Sequence, residues 1–249
     1  REVHAGGAPA DPLAIHETLR RLRRAVAERQ REAFTALYAA MASSKPYAPD
    51  AVSAGRRALR NRALHYLVAL GCDRAFDRAR EQFETADNMS EQAPALTALV
   101  HADAPGADAA LEAFYDRWKD EALVVDKWFS IQATAPVEDA LARVRRLTEH
   151  PAFDWMNPNR FRALVGAFAM GNPSRFHAAD GSGYAFLADW LLKLDARNPQ
   201  TAARLAGAFE TWRRHDPPRV EAARAELDRL AGGDGLSKDL RDIVERLRA

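Results

Sequence analysis

The side chains that could hold a metal or attack a substrate are spread thinly along this chain. Seven histidines occur, His4, His16, His65, His101, His150, His177 and His215. A zinc helix needs two of them four residues apart, with a glutamate between them on the same turn. His16-Glu17 begins that way, but the fourth residue on is Arg20, whose guanidinium has no lone pair to give a metal. The turn Asp180-Gly181-Ser182-Gly183 has the glycines of a phosphate or calcium loop. It lacks the Lys-Ser/Thr pair of the first and the alternating oxygen ligands of the second, so it reads as a helix-capping turn. Ser182 sits in no nucleophile elbow and has no matched base. What remains is basic: Arg160, Arg162 and Arg175 in one stretch, Arg197 and Arg204 in the next. Arginine presents a planar fork of donors suited to a carboxylate, including the C-terminal carboxylate of a peptide.

Those arginines lie in two copies of one pattern. Asn157-Pro158 is followed by Leu164, Gly166, Ala167 and Phe168, and each of these recurs 41 residues later in Asn198-Pro199, Leu205, Gly207, Ala208 and Phe209. Such a period is typical of a helical solenoid. Each copy opens as a helix does, with an Asn side chain to accept a first-turn N–H and a Pro where no donor is needed. Gly166 and Gly207 are expected where neighbouring helices approach closely. Aligned on their Asn-Pro starts, Arg162 and Arg204 are one position out of step, about 100° on a helix.

The remaining chain reads as more helices. Asp11-Pro12 opens one whose face is Ile15, Leu19, Leu22 and Val26, and Phe34, Leu37, Tyr38 and Met41 make a second face. These two are expected to form an antiparallel hairpin, ended by the loop from Ser43 to Pro49 before Asp50 caps the next helix. Gly71 is placed to end that helix in a left-handed conformation. Ser90 is expected to cap the helix of Leu96, Leu99 and Val100, and Pro136 to start the helix of Val137, Leu141, Val144 and Leu147. Phe114, Tyr115, Trp118, Trp128 and Phe129 crowd into sixteen residues and belong mostly to a core. No stretch alternates with the period of a strand. The expectation is an all-α fold of about a dozen helices: an α-solenoid, an armadillo/HEAT-like superhelix of antiparallel helix pairs, forming a single domain over residues 1–249.

Composition bounds the function. The chain has 249 residues with 36 basic against 35 acidic, a formal net charge of +1. This provides no overall electrostatic footprint for nucleic acid. The run Arg20, Arg21, Arg23, Arg24 shares its segment with Glu17, Glu28 and Glu32 and has no interleaved aromatics, so it reads as a solvated or interdomain face. Cys72 is the sole cysteine, which excludes an intrachain disulfide and makes a cytoplasmic setting the default. No apolar run approaches the roughly 18 to 20 residues that span a bilayer, so no membrane is expected. The missing initiator Met suggests a piece cut from a longer protein, or a matured product.

The stretch NPNRFRALVGAFAMGNPSRFHAADGSGYAFLADWLLKLDARNPQTAARL resembles the closing helical domain of bacterial aminopeptidase N, in the zinc-dependent gluzincin peptidases. GRRALRNRALHYL, TADNMSEQ and YDRWKDEALVVDKWFSIQAT upstream resemble the same domain, so the resemblance covers nearly the whole chain. It implies an auxiliary domain that encloses the active site and lines the passage taken by peptide substrates. The zinc and the catalytic residues would then belong to other domains of the same polypeptide, leaving no catalytic residue and no metal in this part and no activity in it alone. The resemblance also implies that Arg162 (in NPNRFR) and Arg204 (in NPQTAARL) face the passage near the departing side of the substrate. The rival expectation, of another class, is a free-standing armadillo or HEAT scaffold that binds a partner peptide or protein along its concave face.

Overall fold

The computed structural model describes residues 9–43 and 45–249. Among these it is all-α, with no strand and one isolated parallel bridge between Ala10 and His215. His4 lies outside the described residues. The chain divides into two compact units, one of Glu17–Val137, the other of Glu138–Ala249 with the opening turn of the first helix.

In the first unit, α1 (Pro12–Arg29) and α2 (Arg31–Ala40) do not fold back into the hairpin expected from the sequence. Only Gln30 separates them, and backbone bonds run through it: its N–H donates to Val26 at 3.0 Å, and Phe34 N–H to its carbonyl at 2.9 Å. The helix that packs against α2 is α3 (Ala51–Val68), capped by Asp50 through Ser53 N–H as its sequence implies. Gly71, at φ 67°, then turns the chain into α4 (Asp73–Thr85). The N-cap of α5 (Met89–His101) is Asn88, which accepts from Glu91 N–H; Ser90 is already inside the first turn. Helices α6 (Ala107–Trp118) and α7 (Ala122–Ala133) carry the aromatic cluster. Phe114 and Phe129 are fully buried, and the Trp128 indole donates to Leu111 carbonyl at 3.0 Å.

In the second unit, α8 (Ala140–Thr148) begins after Asp139, four residues later than Pro136 suggests. Next come α9 (Pro158–Phe161), a π turn (Arg162–Gly166) and α10 (Ala167–Gly171), a helix with one wide turn in its middle. The short α11 (Pro173–Phe176) precedes α12 (Ser182–Asp195) and α13 (Pro199–Ala206), followed by 3₁₀ turns at Gly207–Phe209 and Trp212–Arg214. The chain ends in α14 (Pro217–Ala231) and α15 (Lys238–Arg248). The core here is aromatic: Phe168, Phe176, Tyr184 and Phe209 meet edge to face or tilted at centroid distances of 5.3 to 6.2 Å. Helices distant in sequence are tied by polar bonds, as where the buried Asp195 carboxylate at the end of α12 accepts from Ser237 N–H at 2.7 Å and Ser237 Oγ at 2.5 Å. Ser237 in turn caps α15.

Candidate functional site

The two repeat copies do begin as matching helices. Asn157 accepts from Asn159 and Arg160 N–H, Asn198 from Thr201 N–H, and a Pro fills the next position in both. Their glycines differ from expectation. A β-carbon on Gly207 would meet nothing within 4 Å, and one on Gly166 would make only ordinary contact, 3.6 Å from Arg162 Cβ and 3.9 Å from Leu205 Cδ1. The glycine that packing requires is Gly183, whose β-carbon would drive into the carbonyl of Phe176. Gly181, at φ 72° and facing Ala222, permits the turn before it.

Arg162 and Arg204 are both exposed. Arg162 folds back on its own first turn, donating to Pro158 carbonyl at 3.1 Å and to Asn159 Oδ1. Arg204 makes no hydrogen bond or ion pair among the described residues. Their helices touch where Leu205 reaches the Gly166 turn beside Arg162 Cβ. The π turn bears on their registers: Arg162 stands four residues before its glycine and Arg204 three, and a turn closed by i→i+5 bonds accommodates one additional residue. Of the other arginines, Arg160 is buried and donates to Ala152 carbonyl, while Arg197 is exposed.

The largest buried polar group was not foreseen from the sequence. His177 and His215 lie with ring centroids 4.4 Å apart, and His177 Nδ1 is hydrogen-bonded to the Tyr184 hydroxyl at 2.9 Å. Arg219, only 4% exposed, donates to His177 carbonyl at 2.5 Å and pairs with Asp216 and, at 3.1 Å, with Asp11. Burial, with His215 and Arg219 adding, holds His177 down to about 3. Burial likewise lowers His215 and raises the Tyr184 hydroxyl. A neutral imidazole against a paired guanidinium is a structural joint. The Asp180 turn is a cap, as expected: Asp180 Oδ1 accepts from Ser182 N–H at 3.0 Å and from Ser182 Oγ at 2.7 Å. Among the described residues no three His, Cys, Asp or Glu side chains come together as a metal site would require.

A family model described as a domain of unknown function (DUF3458_C), ARM repeats, matches residues 2–249. The chain belongs to this family. It is 41% identical over 95% of its length to aminopeptidase N of Caulobacter vibrioides, and 40% identical over 96% to aminopeptidase N of Escherichia coli. Among solved structures, the crystal structure of Legionella pneumophila aminopeptidase A in complex with aspartic acid superposes on 93% of this chain with a TM-score of 0.85 and 32% identity. The chain spans only 28% and 27% of the two aminopeptidase N sequences and 28% of the Legionella chain. It is therefore the C-terminal helical domain of aminopeptidase N-like proteins, built of ARM-like repeats.

Proposed function

We propose that this chain serves as the auxiliary C-terminal domain of a zinc-dependent aminopeptidase, enclosing an active site carried by the rest of the polypeptide and lining the passage of its peptide substrates. The observation that carries this is the pair of exposed arginines on adjoining repeat helices, of which the Arg204 side chain has no partner among the described residues. A guanidinium left open in this way suits a peptide's far carboxylate. The extra residue taken up by the π turn supports a common direction for Arg162 and Arg204. Among the described residues no three His, Cys, Asp or Glu side chains come together, and this reading assigns the metal and the bond-breaking step to the rest of the polypeptide. What this domain contributes is restriction of access and recognition of the departing end of the substrate. A cytoplasmic setting is part of the same proposal.

The test uses the intact enzyme with Arg162→Ala and Arg204→Ala. Loss of a charge-assisted hydrogen bond typically costs about 1.5 to 3 kcal/mol, roughly ten- to a hundred-fold in binding. KM for peptides is expected to rise by that factor, with little change for single-residue chromogenic substrates, which are too short to reach the arginines. Equal losses on both substrate types would withdraw the two as site residues, and no loss on either would favour a scaffold role.

A further inference from the structure

Among the described residues, most of the amphipathic face read from the sequence of α1 is left exposed. Leu19 is 49% exposed, Leu22 59% and Val26 37%. At about 100° per residue these three fall within roughly 60° of one another, a continuous apolar stripe. From Thr18 to Gln30 the only buried residue is Ala27, which enters the cluster of Leu67, Leu70 and Ala75. A surface helix ordinarily buries such a stripe, and large apolar side chains left together in water mark an interaction surface.

We infer that the Leu19, Leu22 and Val26 stripe is a docking surface for the rest of an aminopeptidase polypeptide, the part outside this chain. This rests on the family reading above. The two aminopeptidase N relatives are matched over only 28% and 27% of their lengths, so most of such a polypeptide is available as the occupant. Charge selects the same occupant over a second copy of this chain. Arg23 and Arg29 flank the stripe, while Glu17 and Glu28 sit on the far side of the helix, paired with Arg21 at 3.7 Å and Arg24 at 2.9 Å. Two copies meeting stripe to stripe would set arginines against arginines, because a two-fold contact uses the same patch on both sides. The complementary surface is apolar with carboxylates at its rim.

The experiment uses the intact polypeptide carrying Leu22→Cys or, on the opposite side of the helix, Glu28→Cys. Alkylation by N-ethylmaleimide is followed at each position by peptide mapping. Leu22→Cys is expected to react at least ten-fold more slowly than Glu28→Cys, and Leu19→Cys to match it. Equal rates would overturn the inference. So would protection that disappears on dilution, which would mean a second copy, or that appears only with added peptide, which would mean substrate. Protection seen equally in the 249-residue chain alone would place the cover within this chain and also overturn it. The readout is separate from peptide selectivity at Arg162 and Arg204, so failure of either proposal is visible without the other.

Discussion

His177 and His215 meet tilted, with their ring centroids 4.4 Å apart, beside the Arg219 guanidinium, and both are held below the ordinary histidine value chiefly by burial. Each would take up on unfolding a proton that it refuses when folded. Their contribution to stability is therefore complete above about pH 6.5 and is lost as pH falls towards about 3 for His177. His65, held down to about 4 mainly by burial, acts in the same direction. Each such group costs up to about 1.4 kcal/mol per pH unit in that window, or about 3–6 °C in Tm for a domain of this size. Thermal melts between pH 7 and 4.5 are expected to fall accordingly. His177→Gln, which keeps a partner for Tyr184 but cannot titrate, is expected to make the slope shallower; an unchanged slope would remove His177 as a cause.

Arg219 is expected to be the least replaceable side chain of that joint. Arg219→Met keeps much of the stem but strands Asp216 and the His177 carbonyl, and breaking a buried pair in this way costs about 3–5 kcal/mol. Arg219→Lys is expected to recover little, because an ammonium cannot reproduce the fork that serves three partners at once. Urea unfolding of the two variants would settle the ranking, and a Lys variant as stable as the parent would contradict it.

Two glycines are expected to separate sharply. Gly183→Ala places a methyl against a backbone carbonyl that cannot swing aside, and the cost is expected to reach at least about 2 kcal/mol. Gly207→Ala enters open space at φ −56°, where the stiffer unfolded chain should gain about 0.4–1 kcal/mol. The comparison needs only two denaturation curves, and similar losses in both would show the packing to be misjudged.

The matched starts of the repeat copies give a fourth expectation. Asn157→Ala and Asn198→Ala each remove a side-chain acceptor from first-turn N–H groups, and each should cost about 1 kcal/mol. Replacement by Asp should restore most of it. If Asp restores nothing, the two asparagines are not acting as caps.

What the sequence made legible was local. Asp50, Asn157, Asn198 and Gly71 act within three or four residues of themselves, so their roles follow from their neighbours alone. Ser90 lost the cap to Asn88 by two positions, since both residues are competent and only the backbone decides between them. The joint around His177 was illegible because its partner Arg219 is 42 residues away and no periodicity announces it. The π turn was equally hidden, being a choice of hydrogen-bond ring rather than of residue type. On α1 the amphipathic pattern was read correctly as a face, but a pattern does not say which surface covers it. Arg162 and Arg204 were reached through resemblance, since exposed arginines on helices are too common to single out two.

Three polar bonds of the second unit share a spacing: Arg219 to His177 and Ser237 to Asp195 are each 42 residues apart, and Arg229 to Asp189 is 40. Each therefore closes a loop about one repeat long, and the entropy lost in closing it is nearly the same every time. Folding with such low contact order can advance by adding one repeat to its neighbour. The Asp11 to Arg219 pair is the exception, closing over most of the chain, and so it belongs to the last steps of assembly. Hydrogen exchange should accordingly find graded opening energies along α12 to α15.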